Sequence, residues 1–312
     1  MTPLRKKESL QADLAGLEGL LAITPDDPLA TPLMQSRAGE LREEIAKTNG
    51  TDFKIPETEI FFGQGPVIGA KGIEAKFAGQ VLNRFQDIVS NHFAAKFLGG
   101  LRRAGRRRGE TDSKLYLTAL PTGSFGLQLT QPHAEDFVAA GQLAETMEEI
   151  TGLVAAAGKD DETFDQMLES VHGRVLVPLQ DFLDTLNKAG ADCKMFSGMK
   201  RAVLKKEEIT QAYERVASAK TKQEDITLEG TFCGTLLRSG RFEFEPQGQP
   251  VLSGWLAEDI TTEQAIEMDN LVGKTARAYL RSTTISTKSG TRRPTYELTG
   301  LNPIKDLPGA KV

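Results

Sequence analysis

Residues 225–245 read "DITLEGTFCGTLLRSGRFEFE", and three stretches of the same character follow: "PVLSGWLA" at 250–257, "KTARAYLRSTTIS" at 274–286 and "RRPTYELTGL" at 292–301. All are strand-like, and Gly- and Ser-containing turns separate them. Phe242 and Phe244 alternate with acidic residues, as core positions of a half-buried strand do. One helix interrupts the series, announced by a capping box in which Thr261 precedes Gln264 by three residues. About five short strands within about eighty residues predict a small closed or half-closed β-barrel, OB or SH3-like, over 222–302. The tail "NPIKDLPGAKV" carries nothing to bury, so 303–312 is expected to be loose.

Upstream of the barrel, "SAKTKQEDI" is polar and without a core pattern, which predicts a linker and a division of the chain near 219–224. Residues 51–221 read as an α+β body. Strand "TEIFF" leads through a Gly-Gln-Gly turn to a short strand, and a long helix follows from about Ile73 to Leu98. That helix carries Phe77, Val81, Phe85 and Ile88 on one face with Leu82, Val89, Phe93 and Phe97 beside it, the pattern of a central helix touched on two sides. A second hairpin is expected over "KLYLTALPTGSFGLQLTQP", then helices over 134–157, 161–171 and 176–188, a short strand "ADCKMFS" and a helix over 206–217. Residues 1–50 predict a helical hairpin, with Leu10, Leu14, Leu17 and Leu21 on its first helix and "TPDDP" at its turn. That leucine stripe packs on the body or pairs with another copy or a partner, which gives the chain a route to an oligomer or complex.

Charge is unevenly placed. The 312-residue chain has a formal net charge of -5. Between Lys96 and Lys114, however, seven Lys and Arg face only Glu110 and Asp112, a local +5. At its centre "GGLRRAGRRRGE" holds Arg102, Arg103, Arg106, Arg107 and Arg108. From His133 to Val171 ten acidic residues face Lys159 alone, a local -9. The arginine segment therefore suits a nucleic-acid footprint, in which each planar guanidinium takes a phosphate and releases a counterion. It suits equally an acidic protein surface, or solvent. The barrel segment is not basic overall, with nine basic and eleven acidic residues over 222–301. A basic side there is confined to Arg277, Arg281, Lys288, Arg292 and Arg293, and of these Arg292 and Arg293 join the five loop arginines as partner-binding candidates. Trp255 reads as a barrel or interface residue rather than a platform for a base.

Signatures of other classes are absent from the sequence. Cys193 and Cys233 form no CxxC, and His92, His133 and His172 have no ligand spacing, so neither a metal nor a cofactor is expected. Gly63, Gly65, Gly69 and Gly72 match neither phosphate-loop pattern despite Lys71 beside them, and they read as hairpin glycines. Ser124 in "TGSFG" lacks the nucleophile-elbow pattern. The longest uncharged run, 115–134, is broken by Pro121, Gly123, Gln128 and Gln131, so no membrane span is expected, and the start lacks a signal-peptide core. The sequence predicts a cytoplasmic, non-enzymatic binding protein, an accessory or regulatory component suited to a prokaryotic assembly, with nucleic acid preferred over an acidic protein surface as its partner. The enzymatic alternative requires Glu57, Glu59 and Glu74 to converge with Lys71.

Overall fold

The structure, a computed structural model, describes residues 1–23, 30–48, 55–98, 112–121, 125–132, 137–168, 171, 173–236, 240–257, 259–287, 290–291 and 294–304. Helices and strands are mixed in one α+β chain. Its contacts divide it into two compact units: Met1–Gly79 with Leu115–Ala155 and Leu186–Ile209, and Gln80–Lys114 with Ala156–Thr185 and Thr210–Val312. Among the described residues no helix is long and apolar enough to cross a membrane.

The first unit begins with α1 (Pro3–Ile23) and α2 (Ala30–Thr48), which pack together as the leucine spacing predicts. Leu10, Ala38 and Leu41 are buried, and Leu14, Leu17 and Leu21 remain half-buried, because two helices alone cannot enclose a full apolar stripe. Arg42 to Glu18 at 2.7 Å and Lys6 to Glu44 at 3.2 Å tie the pair along its polar sides.

The strands β1 (Glu57–Gly63), β2 (Val67–Ile68) and β3 (Gly72–Ile73) follow, then β4 (Tyr116–Ala119), β5 (Phe125–Thr130), β6 (Asp192–Ser197) and β7 (Lys200–Leu204). The five-stranded sheet runs β4-β5-β1-β6-β7, antiparallel throughout. The run Thr58–Phe62 is buried at every position, which is why β1 takes the centre, with Ile60 opposite Leu127 and Met195. The expected hairpin of β1 with β2 does not form: β2 pairs with β3, and both edges of β1 are taken by β5 and β6. The Gly-Gln-Gly segment is still a turn, with positive φ at Gln64 and Gly65, 62° and 46°. Gly65 is obligatory there, since a Cβ would run into the Ala189 carbonyl oxygen. The β4–β5 hairpin is present, with an irregularity between Leu117 and Ala119.

In the second unit, α3 (Ala75–Phe93) buries Val81, Phe85, Ile88, Val89 and Phe93, at helical spacing. Phe85 meets Phe182 of α6 (Leu176–Ala189) with ring centres 6.2 Å apart. Between them in sequence, α4 (Phe137–Lys159) belongs to the first unit up to Ala155, and α5 (Asp161–Leu168) and a 3-10 turn at Gly173–Val175 belong to the second. Asp160 accepts the Thr163 N–H at 2.6 Å, and that bond holds its carboxyl below the usual range. Arg215 of α7 (Lys206–Ser218) bonds both Asp161 and the Ala157 carbonyl oxygen, closing the end of α4.

The remaining elements are β8 (Lys220–Leu236), β9 (Arg241–Pro246), β10 (Leu252–Leu256), α8 (Thr262–Asp269), β11 (Thr275–Thr287), β12 (Gly290–Thr291) and β13 (Thr295–Pro303). Their sheet runs β12-β11-β13-β10-β9-β8, and β8 also pairs with β11, so the ladder returns to its first strand. β10 and β13 are parallel, and the other pairs are antiparallel. Phe232, Phe242, Phe244, Leu256, Ala276, Ala278, Leu280, Leu298 and Leu301 form one core within it. The capping box is realised in full, with Thr261 Oγ1 accepting from the Gln264 N–H and the Gln264 side chain accepting from the Thr261 N–H. Residues 220–225, whose polarity predicts a linker, are instead the first part of β8, paired with 281–286 of β11. Every one of those side chains is exposed, so backbone pairing holds the segment and no apolar alternation announces it.

Candidate nucleic-acid interface

One row of residues crosses the outer side of the C-terminal sheet. Arg241 of β9 is in register with Trp255 of β10, Trp255 with Glu297 of β13, Glu297 with Arg281 of β11, and Arg281 with Asp225 of β8. Registered neighbours point to the same face of a sheet, which brings together residues that lie far apart in sequence. The Arg241 guanidinium lies 5.3 Å from the centre of the Trp255 ring. At a half-exposed indole such a contact contributes about 0.5–1 kcal/mol.

Glu297 is nearly covered, with 7% of its surface exposed, and a buried carboxylate needs a cation. Arg174 supplies one at 2.8 Å and Arg281 a second at 3.5 Å, while Arg281 also reaches Asp225 at 3.6 Å. Arg174 comes from the 3-10 turn, where Gly173 lies against Thr283 and Ile285 of β11, 3.4 Å from where its own Cβ would be. The row thus carries three arginines, two carboxylates and the single tryptophan of the chain.

The same face turns acidic along β9. Glu243 and Glu245 alternate outward with Arg241, and Cys233 on β8 lies next to them. Partial desolvation first, then the charges of Glu245 and Glu243, push the thiol of the exposed Cys233 above its usual range. Arg277 is neutralised by Glu229 at 2.6 Å. Cys193 differs from Cys233 in being buried, which pushes its thiol up to about 12. In the native state an alkylating agent at pH 8 is therefore expected to modify Cys233 slowly and Cys193 not at all. Equal labelling of both on mass spectrometry contradicts these placements. Because an unfolded thiol titrates near about 8.5, the Cys193 contribution to stability is complete below that pH. It is lost progressively as pH rises toward 12.

The five arginines Arg102, Arg103, Arg106, Arg107 and Arg108, and Arg292 and Arg293, lie outside the described residues, as do Lys288, Ser124, His133 and His172. In sequence Arg292 and Arg293 fall in the connection between β12 and β13. Phe242 and Phe244 are core, Tyr296 packs against that core, and Tyr279 is exposed.

The carboxylate site does not assemble. Glu59 is fully buried, accepting from Arg5 Nη1 at 3.0 Å and from Thr2 Oγ1 at 3.3 Å, and Glu57 faces the Met1 amino group at 2.8 Å. Glu74 and Lys71, beside β3, are exposed. Glu59 is thus a structural counter-charge to the first turn of α1, and Arg5 in turn lies 4.4 Å over the Phe61 ring. Among the described residues no group of three His, Cys, Asp or Glu is arranged to hold a metal. Arg174 and Arg241 carry no sequence signal as site residues, since strand register brings Arg241 to Trp255 and the 3-10 turn brings Arg174 to Glu297. No protein-family model, no curated protein and no solved structure matches the chain.

Proposed function

We propose that the chain is a non-enzymatic binding protein whose C-terminal sheet is a small barrel of the OB kind and whose ligand is single-stranded nucleic acid. The observation that carries this reading is the cycle of pairings: first, second, third, fifth and fourth long strands, returning to the first, with a helix between the third and fourth. In OB barrels the face of the second and third strands, with the loops joining strands one to two and four to five, is where oligonucleotides and oligosaccharides bind. Here that face bears Arg241 and Trp255, and the connection from β11 to β13 includes Arg292 and Arg293 in sequence. Arg102, Arg103, Arg106, Arg107 and Arg108 add a phosphate-binding segment. Architecture alone does not fix a ligand, so the basic and aromatic residues are what favour a polyanion with bases over a sugar.

Glu243 and Glu245 favour a second reading, in which the arginine segments dock on an acidic protein surface and the barrel contributes no anion site. Fluorescence anisotropy of labelled single- and double-stranded DNA and RNA, at low and moderate salt, separates the two. The native chain is expected to bind single strands, and changing the five arginines at 102–108 to Ser is expected to weaken binding at least tenfold. Failure to bind any of the four nucleic acids at low salt removes the first reading, and a protein captured by the native chain but not by the Ser variant then supports the second.

A further inference from the structure

The row across the barrel is asymmetric, and that asymmetry assigns a path to the ligand. On β9, Glu243 and Glu245 share the outer face with Arg241, so a phosphate chain laid along that strand meets two carboxylates. In the other direction, Trp255 is followed across β13 and β11 by Arg281 and Arg174, which share the covered carboxylate of Glu297, with Arg281 also reaching the exposed Asp225 of β8. From β10 to β11 is two strand spacings, about 10 Å, so the strand reaches these arginines within a short span.

Resting on the nucleic-acid reading above, we propose that Trp255 is a stacking platform for one nucleobase, which takes the ring face now covered by Arg241, and that the adjoining phosphates run across β13 toward Arg281 and Arg174. Displaced from the indole, Arg241 is left beside the bound strand, where its fork takes a phosphate oxygen. The exchange keeps the guanidinium charge paired and replaces a cation over the ring by a larger aromatic surface. Because the acidic side of β9 repels the strand, only one base is stacked on the barrel, and additional affinity comes from arginines rather than from further aromatic contacts.

The single tryptophan makes the test direct. Octathymidylate is titrated into the native chain at low salt while tryptophan fluorescence is read, and binding of a labelled copy is followed separately by anisotropy. The expected result is quenching by half or more that saturates together with the anisotropy change. Trp255→Ala is expected to lose about tenfold in affinity, Trp255→Phe to recover most of it, and Arg281→Ala to weaken binding and flatten its salt dependence. Arg241→Ala is expected to leave the quenching amplitude intact. Anisotropy showing tight binding with unchanged tryptophan emission overturns the stacking platform while leaving nucleic-acid binding standing. No anisotropy change overturns both, and binding of deca-glutamate in place of the oligonucleotide assigns the face to an acidic protein partner. Should Trp255→Ala fail to fold, the quenching of the native chain still decides.

Discussion

Gly254→Ala is expected to lower the stability of the C-terminal sheet by about 3 kcal/mol. A Cβ at this position on β10 runs into the Tyr296 carbonyl oxygen of β13 and stands 2.7 Å from the Phe242 ring. The first of these is backbone in the neighbouring parallel strand and cannot rotate away, so the strands must separate or the pairing of Trp255 with Glu297 must shift. Phe242 belongs to the core of that sheet, and pushing its ring disturbs the packing of Phe232 and Phe244 as well. Trp255 is the next residue, and its emission reports the event. Urea unfolding followed by tryptophan fluorescence should show a midpoint well below that of the native chain, and an unchanged midpoint contradicts the close approach of β10 and β13. Under the proposed function nucleic-acid affinity should fall along with it, since the row from Arg241 to Arg281 depends on that register.

A loss of similar size, about 3 kcal/mol, is expected for Arg5→Ala in the N-terminal unit. Glu59 stays buried at the centre of the sheet, and removal of Arg5 withdraws the guanidinium 3.0 Å from its carboxylate. It also removes the cation from the Phe61 ring. Arg5→Ala combined with Glu59→Gln should recover a substantial part of the loss, because the cost comes from the uncompensated charge more than from the absent contact. Thermal unfolding by circular dichroism checks both, and a double variant less stable than the sum of its parts contradicts this assignment of Glu59.

The core strands of the C-terminal sheet were legible because they satisfy local rules. Phe242 and Phe244 alternate with exposed acids, and Thr261 with Gln264 marks the helix between strands. Helix α3 announced itself in the same way, through apolar residues at 3.6 spacing. Elements whose conformation is decided chiefly by the neighbouring strand were not legible. The first part of β8 exposes every side chain over 220–225. Strand β7, "KRAVL", opens with two charged residues and is only five residues long, and its place beside β6 decides its conformation. The centre of the first sheet was misread for a related reason. "TEIFF" and the short strand after its turn look like hairpin partners, yet β5 and β6 come from 125–130 and 192–197 to fill both edges of β1.

The candidate site divides along the same line. The arginine segments are charge runs, visible in composition. The row from Arg241 through Trp255, Glu297 and Arg281 is created by register among four strands, and Arg174 joins it from 123 residues before Glu297. Glu59 also hides its role in sequence, because its partner Arg5 is 54 residues away. A buried charge is recognised only once its counter-charge is in place.

The central claim, that this chain holds a single-stranded polyanion through arginine contacts, is tested most directly by the salt dependence of its affinity for an unstructured oligonucleotide. A plot of log Kobs against log salt is expected to be linear and falling, with a slope of about -0.7 for each phosphate neutralised. With the arginines of 102–108 and of the C-terminal sheet engaged together, a slope of roughly -3 or steeper is predicted, becoming shallower when the five arginines at 102–108 are changed to Ser. An affinity that does not vary with salt, or no measurable binding at the lowest salt, contradicts the account.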